Sequence, residues 1–333
     1  MTVTRRLLFS LLPLLILLVL AELLARALGG GAGLSTGGPL GWTMQPDLDE
    51  YLVDQPDPQL DFTVSTNGDG LRTGLGRASR PGRHRVAIFG ESTIFGWGLP
   101  EAQAPAAALS RALGSDWDVV NAGQPGYSSE QSVRLAQALL DNYTLDGAIF
   151  FVPWNDLRVE QPDRERLPAH PAELRGWRWW GHSALLSGLV RRRANEAMVQ
   201  QHANSPLFAI TSRQDDQDRT RVSTQERAEN LARFQALAKS HGLWSVAAIL
   251  PQGKRYLEGG PDRYAREIID LCAPIGLPFI SLQSSLAGAE TDVSVLPGDQ
   301  AHFTGYGNQI LMSALAVQLA RLGYTSSTDI SSR

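Results

Sequence analysis

Cysteine is almost missing from this sequence of 333 residues. Cys272 stands alone, which excludes an internal disulfide framework, and its apolar helical surroundings point to a buried structural thiol. Lysine is nearly missing too. Lys239 and Lys254 are the only two, and the other basic side chains are arginine, a compositional bias without functional meaning. No long block carries one charge sign. The formal net charge is -4, and this balance argues against nucleic acid as a main partner. Histidine pairs at metal-ligand spacing are lacking among His84, His170, His182, His202 and His241, so no metal is expected; no cofactor is expected either. No internal repeat is found.

What is present begins with an apolar run. Arg5 and Arg6 precede residues 7–21, which are broken only by Ser10 and Pro13, and Leu23, Leu24 and Ala25 extend the pattern past Glu22. A spanning helix needs roughly 20 mostly apolar residues. The expectation is therefore an uncleaved signal anchor over residues 1–28. A cleavable signal peptide, with Ala25-Arg26-Ala27 as its site, is the rival reading. Both leave the positive charge inside and the rest of the chain outside the cytoplasm, on the periplasmic or extracellular face, or secreted if the segment is cleaved.

Glycines at 29–31, 37 and 38 read as a flexible tether. Residues 42–80 look extended, with Asn67-Gly68-Asp69-Gly70 as the turn of a small hairpin. From residue 85 strands and helices alternate. Strands are expected at 85–90, 117–121, 147–152, 243–250 and 277–282, and helices at 105–113, 129–140, 226–240, 261–273 and 304–321. Alternation of this kind implies a three-layer α/β fold: a mainly parallel five-stranded sheet with flanking helices, flavodoxin-like in organisation. The domain extends over 81–324. An insertion at 157–225 breaks the rhythm, being far longer than an ordinary connection. It holds Trp177, Trp179, Trp180, a possible helix over 183–200 and the run Arg191–Arg193. Residues 325–333 form a frayed tail.

In open α/β sheets, sites gather at the carboxyl ends of strands. Ser92 follows the first strand and Gly123 the second. Asn155-Asp156 follows the third, and Asp299 and His302 precede the last helix. A serine hydroxyl is a poor nucleophile until a base lies within hydrogen-bond reach and a third group orients that base. Ser92, His302 and Asp299 supply the three. Asp156 reads as a structural carboxylate bonding loop backbone.

Gly90-Glu91-Ser92, Asn121-Ala122-Gly123, Asn155-Asp156 and Asp299-Gln300-Ala301-His302, in that order, resemble the four blocks of the SGNH (GDSL-type) hydrolase family in its membrane-anchored bacterial form. The resemblance covers about residues 85–322. It implies Ser92 as nucleophile, His302 as general base and then acid, and Asp299 as orienting carboxylate. It also implies an oxyanion hole built from the Ser92 and Gly123 N–H groups and the Asn155 amide. Glu91 departs from the usual aspartate, and Pro153 stands where glycine is usual. No G-x-S-x-G surrounds Ser92, since position 94 is Ile, so an α/β-hydrolase elbow is not supported.

The function expected is a serine esterase acting on small-molecule or glycan esters, such as acetylated cell-envelope sugars or lipids. The alternatives are an O-acyltransferase using the same triad and a non-enzymatic envelope scaffold.

Overall fold

In a computed structural model, described residues are 3–27, 34–38, 40–54, 61–158, 163–167, 183, 220–251, 263–289, 291–297, 299 and 301–325. Most of the expected insertion, with Trp177, Trp179, Trp180, the 183–200 helix beyond Ser183, and Arg191–Arg193, lies outside them. So do residues 326–333 of the tail.

Helix α1 covers Val3–Ala27. The large apolar side chains described on it, from Leu11 to Leu24, are all at least 50% exposed. Among the described residues no helix is long and apolar enough to cross a membrane.

The stretch expected to be a loose tether and extended arm carries two antiparallel strand pairs. Strands β1 (Ser35–Gly38) and β2 (Gly41–Met44) pair antiparallel, as do β3 (Tyr51–Val53) and β4 (Phe62–Val64). Leu40, Trp42 and Met44 are almost fully buried. Apolar burial outweighs the flexibility that the flanking glycines suggest. The expected hairpin turn at 67–70 is a turn, with the Asp69 and Leu71 N–H groups donating to Asn67 Oδ1, but it does not join two paired strands.

The central sheet has five strands: β5 (His84–Gly90), β6 (Trp117–Gly123), β7 (Gly147–Phe151), β8 (Trp244–Ile249) and β9 (Phe279–Ser281). They are parallel throughout and ordered β6-β5-β7-β8-β9. Side chains on a strand alternate between faces, and both faces here are apolar. Ala87 and Phe89 of β5 join one core, with residues of α4 (Ser129–Leu140), α6 (Thr224–Ser240) and α7 (Arg263–Cys272). Val86 and Ile88 join the other, with α3 (Pro105–Leu113) and α9 (Gly305–Arg321). Short helices α2 (Ser92–Phe95), α5 (Asp163–Arg166) and α8 (Thr291–Ser294) complete the set. Cys272 is buried, and burial pushes its thiol up to about 12. A third cluster packs Met44, Phe62 and Val64 of the N-terminal arm against Phe95 of α2.

Candidate active site

Strand β5 runs straight into α2, so Ser92 opens a helix at the carboxyl edge of the sheet. Ile94 and Phe95 N–H donate to the Glu91 carbonyl (3.0 and 2.9 Å), fixing the turn that presents the serine. His302 comes from the far end of the chain. Its segment is held by a bridge between Val295 and Phe303, by Leu296 N–H donating to the His302 carbonyl (2.9 Å), and by Thr304 N–H donating to Ser294 (3.0 Å).

His302 Nε2 lies 2.8 Å from Ser92 Oγ, and His302 Nδ1 lies 2.7 Å from Asp299 Oδ2. The other oxygen, Asp299 Oδ1, accepts from the Ala301 and His302 N–H groups (2.7 and 3.1 Å). An ionised carboxylate only accepts, so the proton sits on Nδ1 and the Nε2 lone pair faces the serine hydroxyl. Burial pushes the Asp299 carboxyl up. The bond from His302, the imidazole's charge and the two N–H donors outweigh that and hold it at about 2. This set can take the proton from Ser92 as Oγ attacks a carbonyl.

Asn155 lies in a turn of 3-10 helix, Trp154–Leu157, after β7. Its Nδ2 donates to the Tyr127 carbonyl (3.1 Å), and its backbone N–H donates to Glu91 Oε2 (3.2 Å). Glu91 thus ties the Asn155 turn to the residue beside the nucleophile. Burial drives its carboxyl up to about 7, against the pull of the Asn155 N–H, the His302 charge and the Trp154 N–H. Asp156 is structural, but the backbone it binds belongs to the first residue of α4 and not to a loop. Its Oδ1 accepts from Ser129 N–H (2.7 Å) and its Oδ2 from Arg227 (3.3 Å).

Gly123 differs from expectation. It is not in a loop but is the last residue of β6, in register with Gly90, and its N–H donates to Asn121 Oδ1 (3.0 Å). A donor committed to a buried side chain is not free for an oxyanion. Glycine is required there for another reason: a Cβ would lie 2.4 Å from Phe95 N, so this position sets how closely α2 approaches the sheet. The loop donor without a hydrogen-bond partner among the described residues is the N–H of Gly126, three residues on. Gly126 is buried and adopts φ +74°, open essentially to glycine. The Pro125-Gly126 dipeptide, a turn signal, was the cue available in the sequence.

Among the described residues no cluster of three or more His, Cys, Asp or Glu side chains could hold a metal ion.

No family model and no curated protein matches the sequence. The chain is similar to several solved structures. One is TesA, at 16% identity and TM-score 0.45, covering 72% of this chain and 99% of that one. The esterase EstA from Pseudoalteromonas sp. shares 14% identity at TM-score 0.44, with 72% and 98% covered. A lipase/acylhydrolase from Enterococcus faecalis shares 14% identity at TM-score 0.44, with 72% and 96% covered.

Proposed function

We propose that this chain is a serine ester hydrolase of the SGNH type. The observation that carries the reading is the unbroken chain of short contacts from Asp299 through His302 to Ser92 Oγ. Ser92 Oγ adds to the ester carbonyl while its proton passes to His302 Nε2. The tetrahedral oxyanion is held by the Ser92 N–H at the start of α2, the Asn155 amide and the Gly126 N–H. The ester C–O bond then breaks, and the alcohol leaves with the proton from Nε2. Water, deprotonated by the same nitrogen, attacks the acyl-enzyme, and the acid departs as Ser92 regains its proton.

Two substitutions test this on a short p-nitrophenyl ester. Ser92→Ala and His302→Ala are each expected to abolish turnover while the fold persists. Wild-type-like rates in either folded variant would refute the assignment. Supplying a glycan acceptor and measuring transferred against free acyl group separates hydrolysis from acyl transfer.

We infer also that residues 7–24 hold the catalytic domain at a membrane, outside the cytoplasm and close to envelope esters. The support is the large apolar side chains described on α1, from Leu11 to Leu24, all exposed, behind Arg5 and Arg6. Full-length protein is expected to sediment with membranes after carbonate washing. Release of uncleaved chain by that wash would sink the idea.

A further inference from the structure

Resting on the serine-hydrolase reading, we propose that Trp42, from the N-terminal arm, is a positioning residue that aims the Gly126 N–H at the oxyanion.

Every carbonyl of the loop after β6 is engaged. Gln124 O accepts from Tyr127 N–H (3.2 Å), Pro125 O from Trp42 Nε1–H (2.7 Å), Gly126 O from Arg221 Nη1 (2.6 Å) and Tyr127 O from Asn155 Nδ2 (3.1 Å). A planar trans peptide points its N–H opposite to its carbonyl. The bond from Trp42 to Pro125 O therefore turns the Gly126 N–H away from the arm. The Asn155 amide, anchored on the adjacent Tyr127 carbonyl, sits on the same loop.

Trp42 is itself held. Its carbonyl accepts from Tyr127 Oη (2.7 Å), its ring is 1% exposed, and the Arg221 guanidinium lies over that ring at 5.7 Å. A Cβ at position 126 would stand 3.0 Å from Trp42 Cζ2, so the indole also forms the wall against which the turn rests. Met44 N–H donates to Gln124 Oε1 (3.1 Å), adding a second tie between arm and loop. Preorganised donors act because they need no reorientation as charge develops. A loop of five residues with a glycine at its centre has no such rigidity alone, and the arm confers it.

The test uses the full chain and removes only the donor. Trp42→Phe keeps most of the ring. Trp42→β-(3-benzothienyl)alanine keeps its shape and replaces N–H by sulfur, which covers the case in which the phenylalanine variant fails to fold. Each folded variant is expected to lose about tenfold in kcat/KM, less than the roughly 10²–10³ that follows outright loss of an oxyanion donor. Affinity for a trifluoromethyl ketone, whose hemiketal oxygen occupies the oxyanion position, is expected to fall by the same factor. The midpoint of the pH–rate profile stays unchanged, because Asp299, His302 and Ser92 are untouched. Folded benzothienyl variant with wild-type kcat/KM and analogue affinity overturns the inference alone, provided Ser92→Ala is inactive. Activity in Ser92→Ala overturns the serine reading and takes this inference with it.

Discussion

Two carboxylates feel the charge of the imidazole, and their surroundings shift them in opposite directions. In the loop before α9, Asp299 receives Nδ1 of His302 and two backbone N–H groups, and is held at about 2. At the junction of β5 and α2, Glu91 is 7% exposed, and burial lifts it to about 7 although the Asn155 and Trp154 N–H groups and the His302 charge pull the other way. Burial alone does not set the charge state. The density of donors around the carboxylate decides whether desolvation or stabilisation wins. The first group is arranged to stay ionised beside the base. The second is raised by burial while it fastens the Asn155 turn.

The largest effect is expected from Asp299→Asn. The amide NH2 facing Nδ1 would force the imidazole proton onto Nε2, leaving no lone pair for Ser92. A loss of about 10⁴ in kcat with the fold intact is expected, read from single-turnover kinetics. A loss of less than about tenfold would mean that Asp299 does not set the tautomer. Next is Asn155→Ala, which removes one donor of the proposed oxyanion hole and should lower kcat by roughly 10²–10³. If kcat/KM for the p-nitrophenyl ester stays intact, the amide plays no part in the hole.

Glu91 sharpens the contrast through stability. Its folded value is above the ordinary 4.5, so between about 4.5 and 7 the folded protein binds more protons than the unfolded chain. Stability therefore falls as pH rises through that window, by up to about 3 kcal/mol for a shift of this size. Asp299 acts in the opposite sense: its stabilisation is present above its ordinary 3.8 and is lost as pH falls towards about 2. Glu91→Gln should flatten the decline in urea midpoint between about pH 4.5 and pH 7. An unchanged slope would assign that decline to another group.

The triad side of the site was legible in the sequence and the oxyanion side much less so. Asp299 and His302 are three residues apart, so local spacing pairs them, whereas Ser92, 210 residues from His302, was joined to them by its place after a buried strand and by the order of the four sequence blocks. The helices α3 and α4 begin and end where their apolar periodicity does. Gly123 was misplaced because the apolar pattern weakens at Asn121, whereas the backbone ladder with β5 continues to Gly90–Gly123. Trp42, Arg221 and Glu91 act through partners 83, 95 and 64 residues away. No periodicity encodes contacts of that range, and the glycines before Trp42 suggested a loose tether leading into an extended stretch, where packing of Trp42 against Tyr127 prevails.

The smallest expected effect comes from a third carboxylate, Glu130, which is buried yet lies below its ordinary value. Burial pushes it up, and Arg134 and Arg233 outweigh that. Arg233 Nη1 lies 3.1 Å from Glu130 Oε2, but its side chain is 39% exposed. Water screens such a guanidinium, and Arg134 at 2.7 Å remains when it is removed. Arg233→Ala should therefore cost no more than about 1 kcal/mol and leave kcat/KM unchanged. A larger loss of stability would show that an exposed donor can matter as much to a buried carboxylate as the enclosed donors do to Asp299.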